Sequence, residues 1–290
     1  MVGMNVRAAL VLTALVGMGF WVRALPPVAP SVLAAWWPFS QTTIVTAYFT
    51  DGGRLFPVSR RIPVTDNLPR ATLQVLLDGP GPASGVTSPI PGGMQIRSLT
   101  VSEGVARLDL SHGGSSPLTD AARAAIVETM TRVPGIRAVV LSVEGNTRAM
   151  SSTGQPLLYY ASPKGLVAVR AGTGNARDAV MRYLSSTVDG LTGIPRDVRL
   201  RNYAYDQSQG QVSLDFTYTP SIRTLAIEEP DMMRFVLLGL VTSLTEFPEV
   251  RTVRIDFEGR TQLGLGECSD LLRTPQRRPR LLNDERLLGG

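Results

Sequence analysis

A chain of 290 residues with 43% apolar content can bury one to three domain cores. Of its formal charge of +5, two units lie in residues 269–290, where Arg273, Arg277, Arg278, Arg280 and Arg286 stand against Asp270, Asp284 and Glu285. The rest is too dilute for the basic stripe of a nucleic-acid groove, and a lone cysteine, Cys268, excludes an intrachain disulfide and a Cys-ligated metal site.

Residues 1–24 read as a signal peptide or membrane anchor. Arg7 precedes "AALVLTALVGMGFWV", Ala8 to Val22, and Arg23 follows. A basic head before an apolar run is the pattern of an export signal. The run is shorter than the about 20 residues of a full span. Val22-Arg23-Ala24 offers a cleavage site, whereas Trp36-Trp37 in the Pro-rich linker 25–40 suit the interfacial belt of a retained anchor. Cleavage after Ala24 and retention both stay open. Either places the body of the chain outside the cytoplasm, in the extracytoplasmic space or on the outer face of the membrane. No cysteine follows the run, so lipid anchoring through an N-terminal Cys is not expected.

The remainder repeats itself. "AYFTDGGRLFPV" (47–58) answers to "LYYASPKGLVAV" (158–169), and "IPGGMQI" (90–96) to "IPRDVRL" (194–200). "GVARLDL" (104–110) answers to "GQVSLDF" (210–216), and "TMTRVPGIRAVVLSVEG" (129–145) to "SLTEFPEVRTVRIDFEG" (243–259). Four matches in one order define a first domain over 41–150 and a second, more divergent one over 155–268. Residues 269–290 lack periodicity and are expected to be a basic, disordered tail.

Within a repeat the elements follow from period and punctuation. Thr43–Phe49 and Arg54–Val58 read as strands around the turn "TDGG". Arg70–Leu77 reads as a helix capped by Asp66 or Asn67, and Asn175 caps its counterpart through Val180, Tyr183 and Leu184. A hairpin follows, in which Ala106, Leu108 and Leu110 face the core. A second helix after Thr119 carries Ala122, Ile126, Met130 and Val133 on one stripe. A strand closes the unit with Val253, Ile255 and Phe257 inward. The expected fold class is α+β: two tandem β-β-α-β-β-α-β domains with helices packed on one face of a sheet.

The combination "LLDGP", "SPIPGG", "VARLDLS", "IVETMT" and a strand ending in "VEG" resembles the GerMN domain. That domain occurs in sporulation and spore-germination envelope proteins, in some lipoproteins and in many other bacterial proteins. The second repeat keeps "IP", "SLDF" and "FEG" but has Ser185-Ser186-Thr187 where the first has "GP". The resemblance implies an exported, non-enzymatic protein, similar to modules that build ring-like assemblies in sporulation channels. It also implies no cofactor.

The sharper chemical readings are weak. "LLDGPGPASGVTSPIPGG" (76–93) lies behind a helix C-terminus, where the dipole repels phosphate, and reads as a stiff connector. Gly172-Thr173-Gly174 lacks the third glycine of a dinucleotide loop, since Arg177 stands there. Asp109, Ser111 and His112 could serve a cell-wall hydrolase or esterase, but no G-x-S-x-G elbow supplies a nucleophile. The recurring carboxylates Asp109/Glu144 and Asp215/Glu258 read as solvated strand faces. No carboxylate cluster for a metal can be assembled. A ligand-binding sensor with its pocket between the repeats is a further alternative. One stretch, "DMMRFVLLGLVTSL" (231–244), is apolar nearly all round, so Met232, Phe235, Leu238 and Gly239 are expected to form an interdomain or partner surface. The overall expectation is a non-catalytic binding or scaffold protein that engages envelope proteins or peptidoglycan. It would meet the membrane through its N-terminal segment and bind no nucleic acid.

Overall fold

Two glycines with left-handed φ, Gly52 at 56° and Gly53 at 79°, fold the first strands into a tight hairpin of β1 (Thr42–Asp51) and β2 (Arg54–Pro63). The computed structural model describes residues 41–111, 117–153, 155–185, 188–260 and 263–288. The expected signal and linker (1–24 and 25–40) and His112 lie outside the described residues. No described helix is long and apolar enough to cross a membrane.

The helix after the hairpin, α1 (Leu68–Asp78), starts where the Asn67 side chain accepts from the Arg70 amide at 3.1 Å, and it stops at Gly79, φ 84°. The Gly/Pro-rich segment behind it is a connector with a definite task. Thr87 exchanges both backbone hydrogen bonds with Thr50 at 2.9 Å, which covers the free edge of β1. The chain then forms β3 (Ile96–Ser102) and β4 (Val105–Leu110), the helix α2 (Asp120–Thr131) capped by Thr119, and β5 (Ala138–Val143) with β6 (Asn146–Thr153). These strands lie in the order β3-β4-β5-β6, with β4 and β5 parallel across α2.

The second repeat runs through β7 (Leu157–Ser162), β8 (Gly165–Arg170), α3 (Ala176–Ser185), β9 (Leu200–Asp206), β10 (Gln211–Phe216), α4 (Pro220–Glu228), α5 (Pro230–Leu244) and β11 (Thr252–Phe257). Its three-stranded sheet has the order β11-β10-β9. Local details recur faithfully. Thr192 covers β7 through Ala161 as Thr87 covers β1, and the Asn175 side chain accepts from Asp178 N at 2.8 Å. The expected inward residues Ala106, Leu108, Leu110, Val253, Ile255 and Phe257 are all buried. α4 and β6 were not expected.

The arrangement of the hairpins corrects the expected architecture. Each repeat was expected to keep all its strands in one sheet. Instead β1-β2 and β8-β7 leave their repeats and join, through β2 and β8, in a shared four-stranded sheet of order β1-β2-β8-β7. Residues 43–290 therefore form a single compact unit. Leu157 and Tyr159 enter the core of the first repeat, while Leu158 and Tyr160 enter that of the second, so β7 is buried along its whole length.

At the junction Leu55 pairs with Ala168 in antiparallel fashion, and Pro57 and Leu166 come within reach of one side chain. Pro57 has no N–H to offer its neighbour. The Asn283 side chain fills the gap. Its Nδ2 donates to Pro57 O at 2.7 Å and Leu166 O at 2.8 Å, and its Oδ1 accepts from Leu166 N at 2.8 Å. Gly165 is required beside it, because a Cβ there would lie 2.2 Å from Asn283 Oδ1.

The tail expectation is thereby corrected as well. Ser59 and Leu282 exchange hydrogen bonds, Leu271, Leu272, Leu282 and Leu288 are buried, and Glu285 accepts from Arg60 Nε at 2.6 Å and from Gly81 N at 2.9 Å. Arg60 and the Gly81 amide hold the Glu285 carboxyl below its ordinary pKa. Leucines without period, each meeting a preformed groove, leave no signature of order in the sequence. Replacing Asn283 by Ala strands three backbone groups in the junction. Urea unfolding is expected to show a loss of about 3 kcal/mol, and a change under about 0.5 kcal/mol would refute the role of this side chain.

Candidate functional site

Tyr48 on β1 and Tyr159 on β7 occupy equivalent places in the two repeats. Their strands are the outer members of the shared sheet, about 14 Å apart at three strand spacings. The two side chains nevertheless meet, hydroxyl to hydroxyl, at 2.7 Å. Each strand is also tied in the same manner to a helix of its own repeat, β1 to α2 and β7 to α5. Thr129 Oγ1 accepts from Tyr48 N at 2.9 Å, and Ser243 Oγ accepts from Tyr159 N at 2.8 Å. The pair thus marks a local pseudo-two-fold axis inside one chain.

The residues beside the tyrosines break that symmetry. Arg132 in "TRVPGIR" corresponds to Glu246 in "TEFPEVR". Across the axis they form a bidentate pair at 2.8 and 2.7 Å, with the Glu246 side chain 3% exposed. Arg278 from the C-terminal segment donates to Glu246 at 2.5 Å and to Tyr159 Oη at 3.1 Å. Tyr159 gives its one proton to Glu246 at 3.0 Å, so the hydrogen between the tyrosines belongs to Tyr48. Arg132 and Arg278 lie over the rings of Tyr48 and Tyr159 at 5.6 and 5.5 Å. Burial raises the pKa of both tyrosines. Glu128, 3.4 Å from Arg132, is pushed up to about 7, chiefly by burial. The Glu246 carboxylate is enclosed, while the Arg132 and Arg278 side chains keep 23% and 28% exposure and Arg132 Nε is buried without a hydrogen-bond partner. The cluster holds the repeats together, and on its outer side Arg132 lines a depression of about 320 Å³ with Thr43, Leu68 and Arg280.

The carboxylates that recur in the sequence also have structural work. Glu144 and Gly145, at φ 54° and 72°, make the turn after β5, and Glu258 and Gly259, at 54° and 70°, repeat it after β11. Asp109 Oδ1 accepts from Gly145 N at 3.0 Å and Ser142 Oγ at 2.9 Å, which lowers its pKa, and Asp215 accepts from Gly259 N at 2.9 Å. Arg97 and Arg201 pair with these aspartates at 3.5 and 3.2 Å. Ser111 Oγ accepts from Gln95 N at 2.9 Å, as Thr217 Oγ1 does from Arg199 N at 2.8 Å. Asp109 and Ser111 are therefore members of duplicated turn and strand-end bonds. Among the described residues no three His, Cys, Asp or Glu side chains gather into a metal site.

The four residues singled out on α5 are placed as follows. A Cβ on Gly239 would lie 2.3 Å from Tyr159 O, so its lack of a side chain lets α5 close on β7. Phe235 is partly buried and touches the cores of both repeats, while Met232 and Leu238 are partly buried against the second core.

A larger concavity lies in the second repeat. A groove of about 460 Å³ runs between α3, the loop before β9, and β9 itself. Arg177, Arg196, Arg199 and Arg201 line it together with Met181 and Tyr203, and no acidic side chain does. The Arg177 guanidinium lies 5.9 Å from the Tyr203 ring centre, Arg201 is engaged with Asp215, and Met181 is 52% exposed. Among the described residues Arg196 and Arg199 have no carboxylate within ion-pair distance. This site was missed in the sequence because net charge was averaged over the chain. Its signal is local: "IPRDVRLR" places arginines at 196 and 199, where the first repeat has Gly92 and Gln95. A shallower depression of about 310 Å³ lies where Leu55 and Asp120 of the first repeat face Ala168 and Arg170 of the second.

Removing the Glu246 carboxylate by Glu246→Ala leaves Arg278 without its carboxylate partner and Arg132 with Glu128 alone, both at a largely buried site. Chemical denaturation should register a loss of about 3–5 kcal/mol. Glu128 gives a separate test. With a folded-state pKa of about 7 against an ordinary 4.5, it keeps a proton in the fold that the unfolded chain has released between those values. Its contribution to stability therefore falls as pH rises from about 4.5 to about 7 and levels above that. Thermal melts of Glu128→Gln should lack this decline, and an unchanged pH profile would contradict the burial of an ionisable group there.

Among curated protein sequences no relative matches significantly. The family model "Germane: Sporulation and spore germination" matches twice, over residues 46–149 and 157–263. The tandem GerMN domains of the sporulation protein GerM from Bacillus subtilis match with a TM-score of 0.63 at 20% identity, covering 84% of this chain and 99% of that one. The first GerMN domain of the same protein matches with a TM-score of 0.30 at 19% identity, covering 37% of this chain and 86% of that one. A putative lipoprotein from Clostridium perfringens gives 0.26 at 19%, covering 41% and 85%. With both repeats matched by the family model, the chain belongs to the sporulation and spore germination family as a tandem GerMN protein.

Proposed function

We propose that the protein is a non-catalytic binding or scaffold module of the bacterial cell envelope, exported and held at or beyond the outer face of the cytoplasmic membrane. The observation that carries this reading is the use made of its reactive side chains. Asp109 and Ser111, two of the three groups a hydrolase would need, are consumed in bonds that the second repeat reproduces without a histidine. The buried Tyr–Arg–Glu cluster is likewise spent on joining the repeats. What the molecule offers to solvent is shape and charge. Export is supported by the basic head and apolar run from Arg7 to Val22. The family's association with sporulation and germination supports an envelope partner, protein or peptidoglycan.

Two measurements test the reading. Protease added to intact protoplasts should digest the body of the chain, and a body protected until lysis would overturn export. The purified protein should hydrolyse neither p-nitrophenyl acetate nor peptidoglycan fragments above the His112→Ala background. Turnover lost in Ser111→Ala, with an unchanged circular dichroism spectrum, would restore the hydrolase alternative.

A further inference from the structure

The arginine groove of the second repeat combines two features that ask for the same ligand. The first is charge. Four guanidinium groups face the cavity, and Arg196 and Arg199 have no carboxylate partner among the described residues. A groove of one sign, walled by low-dielectric side chains, raises the local concentration of an oppositely charged ligand. The second is backbone. β9 is the outer strand of its sheet, hydrogen-bonded along one side to β10; among the described residues its other side has no strand partner, and its residues Leu200 to Tyr203 line the groove. An open row of alternating N–H and C=O groups is a template for one more strand.

We propose that this groove binds an extended acidic segment of a partner protein, which adds to β9 as a fourth strand of the sheet β11-β10-β9. The backbone of the segment pairs with Leu200–Asp206, alternate carboxylates reach Arg196 and Arg199, and apolar side chains between them cover Met181 and Tyr203. A simple polyanion, such as a teichoic-acid-like polymer or an acidic lipid surface, satisfies the arginines alone. It leaves the strand edge and the apolar lining unused, so the mixed character of the groove favours a peptide. The specificity belongs to the second repeat. Positions 196 and 199 are arginine there and Gly92 and Gln95 in the first, whereas Arg201 has its counterpart in Arg97 and serves the Asp215 turn in both. Divergence of the repeats has thus changed the ligand-facing positions and spared the structural one.

The proposal rests on the binding-module reading, and its test is separable from that of export and absent turnover. A fluorescein-labelled decapeptide of alternating Glu and Val is titrated into the full-length chain in mild detergent at low salt, read by anisotropy. Saturable binding is expected, weakened about tenfold or more by Arg196→Glu/Arg199→Glu and unaffected by Arg273→Glu outside the groove. Replacing Glu by Gln, or N-methylating alternate peptide amides, should weaken binding to a similar degree. Hydrogen exchange of the Leu200–Asp206 amides should slow when the peptide is added to the wild-type chain. Absent binding, or unchanged exchange along β9, overturns the proposal. So does equal affinity for the N-methylated peptide together with full competition by inorganic polyphosphate or pure phosphatidylglycerol vesicles, which would mark the groove as a polyanion or lipid site.

Discussion

A single carboxylate, that of Glu246, holds the molecule at its centre. It accepts from two arginines and a tyrosine that belong to the first repeat, the second repeat and the C-terminal segment. Burying a charge away from water is costly, and the cost is offset only when every lone pair finds a donor. Here the donors come from three parts of the sequence that no local interaction would bring together. The cluster therefore contributes more to the uniqueness of the arrangement than to bulk stability, which comes from the apolar cores on either side of the shared sheet.

The pseudo-two-fold axis explains why the residues facing one another at this point differ. In a pair of identical repeats, position 132 would meet its own counterpart across the axis, arginine against arginine or glutamate against glutamate. Either would bury like charges. Fusing the repeats in one chain allowed the two positions to diverge into an attractive pair. The same divergence opposes mispairing between molecules, since two first repeats brought together would confront Arg132 with Arg132. The hairpins that cross between repeats are otherwise well suited to exchange, so this discrimination matters.

Much of the fold was legible from the residues. The alternation in "VARLDL" and "TVRIDF" fixed which faces are buried, and Asn67, Thr119 and Asn175 marked helix starts. The duplicated segments gave the repeat itself. The pairing of the two hairpins was not legible, because a hairpin's own pattern does not name its partner. One hint was present. "LLYYA" lacks the alternation of a half-solvated strand and reads as covered on both faces, which a sheet at the edge of an independent domain would not provide. The Tyr–Arg–Glu cluster was invisible for a related reason, since hydrogen-bonded partners within it lie up to 119 residues apart. The arginine groove lay within reach, in eight consecutive residues, once charge is counted locally.

Asn283 makes its contacts with Pro57 across 226 residues of chain. The amide that bridges the two hairpins thus comes from a segment that follows both repeats in the chain. A chain interrupted before this point would keep the Tyr48–Tyr159 and Arg132–Glu246 contacts but leave Pro57 O, Leu166 O and Leu166 N without this partner. The central sheet is in this way fastened from outside itself, by a segment that follows both of the hairpins it joins.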